Sequence, residues 1–335
     1  MDWFSGLDID LSPAKSTATL FTPDTHQYNY HPNLYIRGNR LPLEKYPRVL
    51  GVRYDPLMKF SKHVDDINTI ARRKLNVLKA ISGVDCGQSK EDLIYLFKQY
   101  IRPHFSYASN AWRPNASKTS LKKLQITQNM ALRAATGLTK MTNIDTLHRE
   151  AKVLKVEQHL DMIGAQAAAK YANPLHPLHK LLDVPNPPRH MKQTPAHFYN
   201  KYIPQDDALT VPQKLKRIHT NITRDSIAAL ERSKLTDSVP PDINEEEESL
   251  PRKLRIDLAR LRSGWHPRLE NYLHRINKLR TPECRRCHMG TGDVHHFLLQ
   301  CPSLVAHRRT ANIRSVYDLW TNPVAVGDYV QLANL

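Results

Sequence analysis

The sequence has little glycine and none of the short motifs that mark several common enzyme folds. Its 335 residues include only 11 glycines, which argues against a glycine-rich phosphate-binding fold. It contains no phosphate-binding loop, dinucleotide fingerprint, serine-hydrolase elbow or zinc-protease motif. These absences argue against an enzyme of any of those classes.

The sequence also lacks the features of a membrane or secreted protein. No apolar run approaches the roughly 18–20 residues of a membrane span, and the N-terminus lacks the basic and then apolar layout of a signal peptide. Three of its four cysteines lie near the C-terminus, which suits a reducing compartment and a metal site better than a disulfide framework. We therefore expect an intracellular protein of the nucleus or cytoplasm, with no membrane partner.

Positive charge is what the sequence has in excess. It holds 49 lysines and arginines against 32 acidic residues, a net charge of +17. A charge of this size calls for a polyanionic partner. Because no membrane segment is expected, that partner is RNA, DNA or an RNA–DNA hybrid.

Helical periodicity dominates the middle of the chain. In residues 61–83 apolar side chains recur every three or four positions, as one face of an α-helix requires. Residues 89–92 form a capping-box pattern, and the helix that follows is expected to end near Arg102, because Pro103 disfavours helical geometry in the residue before it. A third helix is expected to end at Gly137, a left-handed cap.

The N-terminal residues 1–58 are predicted to form a small β segment. The runs at 7–11 and 17–21 have the alternation or the composition of strands. Residues 34–41 have the pattern of a hairpin with glycine at its turn, and residues 49–54 that of the last strand. A segment this small is marginal by itself, so it either docks on the helices or is the tail of something larger.

The fold class expected from these patterns is α+β and mostly α, in four segments. A helical bundle at 59–172 follows the β segment, and a linker at 173–249 is first proline-rich and then acidic. The acidic run at 245–248 is either disordered or screens the basic surface of the same molecule. Residues 250–335 form a small helical tail.

The tail contains the most specific chemical motif of the sequence. Cys284, Cys287, His296 and Cys301 have the spacing Cys-x2-Cys-x8-His-x4-Cys. Zinc favours four such ligands in a tetrahedron, and a two-residue gap lets both thiolates of a knuckle reach one ion. With all four positions filled by protein, the zinc is expected to be structural rather than catalytic.

Other residues compete with this set. His295 is the obvious rival of His296 as a ligand, and His288 is a weaker one. A chance cluster remains the alternative to a metal site in a chain with 17 histidines. Cys86 lies outside the array and is expected to be a small buried residue.

Three groups of short motifs occur in one order along the chain. The first is Trp3, Leu7, Ile9, Ser12-Pro13, Lys15-Ser16, Leu20-Phe21 and Val49-Leu50-Gly51-Val52. The second is Arg102-Pro103, Tyr107-Ala108, Trp112-Arg113-Pro114, Leu124-Gln125, Gln128-Asn129 and Ala131-Leu132-Arg133. The third is Leu261-Arg262-Ser263-Gly264, Tyr272-Leu273, the Cys/His array and Leu319-Trp320 with Pro323. Together they resemble the late palm with its primer-grip hairpin, the thumb and the Cys/His tail of jockey-type non-LTR retrotransposon reverse transcriptases.

The resemblance implies a palm remnant at 1–58, a thumb-like domain at 59–172 that grips a template–primer duplex, and a zinc-knuckle tail at 250–335. The cations expected to contact phosphate are Lys15, Lys62, Arg72, Arg73, Lys74, Lys118, Lys122, Lys123 and Arg133. Lys15 matches the late-palm lysine, which in related polymerases lies near the leaving pyrophosphate. The alternative for each cation is an ordinary solvated side chain.

The catalytic carboxylates of that family have no counterpart in this sequence. Two-metal nucleotidyl transfer needs carboxylates that hold both ions and align the attacking and leaving oxygens. In the family they lie upstream of the point where this chain begins. We therefore expect no catalytic residue here, magnesium only if the chain is joined to the missing palm, and an upstream polymerase core as partner.

Two functional hypotheses remain from the sequence. In the first, the chain is the C-terminal portion of an RNA-directed DNA polymerase and is inactive alone. In the second, it is a free-standing nucleic-acid-binding or scaffold protein derived from such an element. An upstream reading frame continuous with Met1 would distinguish them.

Overall fold

The computed structural model describes residues 6–7, 10–182, 209–230, 235–236 and 239–335. Within these ranges the chain is mostly helical, with short antiparallel strand pairs near its N-terminus. This confirms the expected α+β, mostly α fold class. Residues 1–5 and 8–9 of the expected β segment lie outside these ranges, as do 183–208, 231–234 and 237–238 of the expected linker. No helix in the described part of the chain is long and apolar enough to span a bilayer.

Two tight hairpins account for the named strands. β1 (Tyr35–Ile36) pairs with β2 (Asn39–Arg40), and β3 (Arg48–Val49) pairs with β4 (Val52–Arg53). Each turn has a glycine at its second position, and both central residues have positive φ, as tight hairpin turns require. The first hairpin confirms the prediction. The prediction of one strand at 49–54 is wrong, because Leu50 and Gly51 reverse the chain there.

The run at 17–21 forms a single bridge in place of the expected strand. Ala18 pairs in parallel with Leu43, through bonds from its N–H to the Pro42 carbonyl and from the Glu44 N–H to its own carbonyl, both at 2.9 Å. Pro42 has no N–H to donate, so the ladder cannot extend beyond it. The prediction of a strand at 17–21, which rested on strand propensity alone, is therefore wrong.

The α-helices follow in this order: α1 (Ser61–Ala80), α2 (Lys90–Leu96), α3 (Arg102–Ser106), α4 (Ser109–Trp112), α5 (Lys118–Thr136), α6 (Ile144–Ala151), α7 (Val156–Tyr171), α8 (Val211–Ala228), α9 (Arg252–Arg262), α10 (Glu270–Arg275), α11 (Val305–Thr310), α12 (Asp318–Thr321) and α13 (Pro323–Leu332). The helix at 211–228 interrupts the segment that the sequence predicted to be a linker.

The predicted apolar face of α1 is confirmed. Its buried side chains are Val64, Ile67, Ala71, Leu75 and Leu78. Ile81, the last residue of the predicted stripe, is exposed because the helix ends at Ala80. The predicted cap of α5 is confirmed as well, since Gly137 has φ +71° and donates its N–H to the Arg133 carbonyl.

The second helix continues past Pro103, so the predicted end near Arg102 is wrong. α2 runs into a π-helical turn, Phe97–Ile101, and α3 follows directly. The Arg102 N–H bonds to the Phe97 carbonyl across this wider turn. Pro103 is the second residue of α3 and directly follows this wider turn, so the chain accommodates a residue with no N–H to donate inside a continuous helical stretch.

Two compact units divide the chain, and each is assembled from pieces distant in sequence. The first unit comprises Met1–Ile70, His104–Leu124 and His159–His219; the second unit comprises Ala71–Pro103, Gln125–Gln158 and Thr220–Leu335. The division of the sequence into four functional segments stays a prediction.

A fully buried arginine lies at the centre of the second unit. The guanidinium of Arg262, at the end of α9, bonds to both carboxylate oxygens of Glu150 at 2.7 and 3.0 Å and to both of Glu247 at 2.5 and 3.0 Å. It also donates to the Leu319 carbonyl at 3.0 Å. Lys90 contributes a second positive charge, 3.2 Å from Glu150 and 3.8 Å from Glu247.

The acidic run at 245–248 is part of this network. Residues Glu245–Ser249 form a 3-10 turn, and Asn244 caps it by accepting from the Glu246 N–H. Glu247 is buried against Arg262. The acidic run is thus ordered, and one of its carboxylates neutralises a cation of the same unit.

The electrostatics of the network favour its charged form. Burial alone would raise the pKa of Glu150, but the positive charges and hydrogen bonds of Arg262 and Lys90 lower it from 4.5 to about 2. Burial alone would lower the pKa of Arg262, but the charges and hydrogen bonds of Glu150 and Glu247 raise it above its ordinary value. A buried charge group of this kind is stable only when it is complete.

Replacing Arg262 with methionine should therefore strongly destabilise the protein. Among the described residues, the two buried carboxylates would then have only Lys90 as a cationic partner. The free energy of unfolding, measured with urea, should fall by about 3–5 kcal/mol. The matched control Arg309→Met, at an exposed arginine, should change that free energy little. Adding Glu150→Gln and Glu247→Gln to Arg262→Met should restore much of the loss, and failure to do so would contradict the electrostatic account.

Stability should also fall in acid because of Glu150. Its pKa in the folded protein lies below its ordinary value, so its contribution is complete above pH 4.5 and is lost as the pH falls towards 2. Urea unfolding at a series of pH values should show this loss. The Glu150→Gln variant should be less stable at neutral pH and should lose less stability over that acid range.

Candidate metal centre and cationic residues

Local backbone geometry forms the knuckle that carries the first two cysteines. Cys284 N–H donates to the Gly290 carbonyl at 3.0 Å, and the His288 N–H donates to the Cys284 carbonyl at 2.8 Å. An isolated antiparallel bridge between Glu283 and Thr291 closes the loop. The chain thus returns on itself with both thiols on one side.

A π-helical turn positions the other two candidate ligands. His296–Gln300 form this turn, and the Cys301 N–H bonds to the His296 carbonyl at 2.8 Å. Phe297 and Leu298 are buried in the core of the tail and fix the turn in place. The final cysteine therefore follows the histidine by one wide turn.

Four ligand atoms converge at this point. One atom from each of Cys284, Cys287, His296 and Cys301 lies within 4.8 Å of the others. The Cys284 and Cys301 sulfurs are 4.0 Å apart, and the Cys287 sulfur lies 3.2 Å from His296 Nε2. Zn–S bonds of about 2.3 Å in a tetrahedron place two sulfurs roughly 3.8 Å apart. The geometry fits a metal ion held by four protein ligands.

Burial distinguishes His296 from the two other candidate histidine ligands. His296 is buried and contributes to the cluster, whereas His295 and His288 are exposed and do not. The structure thus brings together the four residues that the spacing predicted. Cys86 is exposed, so the expectation of a buried residue is wrong; it lies in the short loop between α1 and α2, where the surrounding residues leave it on the surface.

Two supporting residues were missed from the sequence. Asp293 accepts the His296 N–H at 2.8 Å and so orients the turn that carries this ligand; an aspartate three residues before the histidine is a helix-cap signal that could have revealed it. The buried hydroxyl of Tyr329 donates to the Phe297 carbonyl at 2.5 Å. No sequence signal marks Tyr329, because the contact joins α13 to a distant turn.

Six of the nine cations expected to bind phosphate are exposed. In the first unit these are Lys15, Lys62, Lys118 and Lys122, and in the second unit Arg72 and Arg73. In the part of the chain that the structure describes, none of the six forms an ion pair with a carboxylate. Their charges are therefore exposed to solvent.

The other three cations have contacts within the protein. Lys123 lies 2.5 Å from an oxygen of Asp65. Lys74 lies 3.9 Å from the ring centre of Tyr100 and donates to its carbonyl at 3.2 Å. Arg133 donates to two backbone carbonyls of the loop after α5, and burial lowers its pKa.

Comparison with curated proteins finds one informative similarity. The chain is 26% identical over 192 residues to a Drosophila melanogaster protein named probable RNA-directed DNA polymerase from transposon X-element. The aligned part is 57% of this chain and 21% of that protein, so the chain spans about a fifth of its relative's length. No protein-family profile and no solved structure matches the chain. The expected relationship to retrotransposon reverse transcriptases is confirmed by this similarity.

Proposed function

We propose that the chain is the C-terminal portion of a retrotransposon RNA-directed DNA polymerase, which binds template and primer for an active centre in a preceding polymerase core. The sequence similarity to a transposon polymerase supports the class of protein. The observation that carries the binding role is a set of exposed cations that have no carboxylate partner among the described residues: Lys15, Lys62, Arg72, Arg73, Lys118 and Lys122. In this proposal the partner is an RNA–DNA hybrid or another template–primer duplex.

The cations act in the proposal as phosphate contacts that are independent of sequence. Lysine and arginine on a helix surface bind the nucleic-acid backbone and release its counterions. Arg72 and Arg73 lie on α1, and Lys118 and Lys122 on α5. Because Lys74, Lys123 and Arg133 already have contacts within the protein, we assign them a supporting role.

The proposed roles of the segments follow from the same resemblance. The β3–β4 hairpin is the primer grip, helices α1, α2 and α5 belong to the thumb, and Lys15 belongs to the late palm. Magnesium would be held by carboxylates of the polymerase core. This chain's own residues hold and orient the duplex.

The proposed metal of the tail is one structural zinc ion. Three thiolates and an imidazole are the ligands that zinc prefers, and a site with four protein ligands has no open position for a substrate. Cys284 and Cys301 are buried within the core of the tail, so the ion would fasten the knuckle to the π-helical turn.

Binding of a labelled RNA–DNA hybrid should weaken steeply with salt. The double variants Arg72→Gln with Arg73→Gln and Lys118→Gln with Lys122→Gln should each reduce the slope of log K against log salt by about 2, or about 1 for each cation. Fluorescence anisotropy at several salt concentrations measures this slope.

A matched control removes two exposed lysines outside the proposed set. Lys170→Gln with Lys180→Gln makes the same change in charge and should leave the slope nearly unchanged. A flat salt response of the unmodified chain, or equal effects of all three double variants, would rule out the proposed contacts.

Elemental analysis should find one zinc ion per chain. Cys301→Ser and His296→Ala should each lose most of the zinc and lower the melting temperature, since metal binding contributes to folding. The matched variants Cys86→Ser and His295→Ala should retain it. Zinc retained by the first pair, or lost from the second, would show that the ligand set is wrong.

A further inference from the structure

A cavity of about 400 Å³ lies in the first unit, beside the start of α1. The residues that line it include Tyr28, Tyr46, Asp55, Lys59 and Lys62. The cavity has the size of a small-molecule site. Its lining combines aromatic rings with ammonium groups, and the resemblance described above gives it no role.

The two tyrosines form a fixed pair. Their hydroxyl oxygens are 2.7 Å apart. Lys45 lies 3.5 Å from the centre of the Tyr28 ring and donates to Asn29 Oδ1 at 2.8 Å, so one face of that ring is covered. Tyr28 is therefore held in place, and its hydroxyl positions Tyr46.

Backbone contacts fix the segment that carries Tyr46. Its N–H donates to a carboxylate oxygen of Glu44 at 3.0 Å, and the Glu44 N–H donates to the Ala18 carbonyl at 2.9 Å. The ammonium of Lys62 lies 5.8 Å from the centre of the Tyr46 ring. That distance is near the outer limit of a cation–π contact. Tyr46 is only half-buried and lines the cavity, so part of its side chain is exposed there.

The lining of the cavity carries a net positive charge, since it holds two lysines and one carboxylate. Asp55 is buried, and its carboxylate accepts the backbone N–H groups of Leu57, Lys59 and Phe60 at 3.2, 3.1 and 2.5 Å. Those bonds satisfy the carboxylate locally. Within the described residues neither Lys59 nor Lys62 forms an ion pair, and both side chains are exposed.

We infer that this cavity binds one nucleotide of a single-stranded nucleic acid, with its base against the Tyr46 ring and its phosphate on Lys59 and Lys62. The inference rests on the proposed function for the class of its ligand. A single strand is required because a base must leave the duplex stack to reach an aromatic ring. Tyr28 acts as a positioning residue for Tyr46.

The test uses the full chain and a short single-stranded oligothymidylate that carries one 2-aminopurine, whose fluorescence falls on stacking. Tyr46→Ala should weaken binding about tenfold or more without changing the salt slope. Tyr46→Phe keeps the ring and should retain both binding and the fluorescence change. Lys59→Gln with Lys62→Gln should instead lower the salt slope, by about 0.7 for each lost contact.

Tyr30→Ala is the matched control. Tyr30 is an exposed tyrosine two residues after Tyr28, and it is not among the residues that line the cavity. Its removal should leave binding unchanged, and circular dichroism should show that all variants are folded. Equal effects of Tyr30→Ala and Tyr46→Ala would overturn the inference.

The experiments distinguish a failure of the cavity inference from a failure of the proposed function. If the RNA–DNA hybrid binds with the expected salt slope while 2-aminopurine fluorescence is unchanged, the cavity inference fails alone. If the hybrid does not bind but Tyr46-dependent quenching persists, the duplex-binding proposal fails and the cavity still binds single strands.

Discussion

The second unit depends on the hydrogen bonds and ion pairs of the Arg262 guanidinium. It bonds to the carboxylates of Glu150 and Glu247 and to a backbone carbonyl, all shielded from water. Isolated charges at such a position would be very costly, and only a complete set of partners makes their burial tolerable. The network therefore requires α6, α9 and the acidic turn to occupy their places together. In a chain with net charge +17, the buried carboxylates also neutralise a cation that could not reach solvent.

The Cys/His cluster and the exposed cations do not depend on this network. The four ligands come from two short local structures, a knuckle and a π-helical turn, and both are closed by backbone bonds. The six cations of the proposed binding set are exposed and have no carboxylate partner in the described part of the chain. Function in the proposed polymerase fragment thus depends on which charges the fold neutralises and which it leaves exposed.

The cavity beside α1 extends this contrast. At Asp55 the carboxylate accepts three backbone N–H groups, and within the described residues it forms no ion pair with Lys59 or Lys62. Around Arg262 the carboxylates of Glu150 and Glu247 form ion pairs with cations. The same residue types thus produce a stabilising core in one unit and a cationic cavity in the other.

The sequence by itself determined the mostly helical fold, the apolar face of α1, the glycine cap of α5 and the four-residue Cys/His set. These features depend on periodicity and spacing within one or two turns, where local geometry is decisive. Tertiary structure decided the burial of Arg262, the exposure of Cys86, the choice of His296 over His295 and the internal contacts of Lys74, Lys123 and Arg133. It also carried the second helix past Pro103 through a π-helical turn. Each of these features depends on residues distant in sequence or on the exact path of the backbone. Such contacts have no periodic signature, so a sequence pattern cannot reveal them.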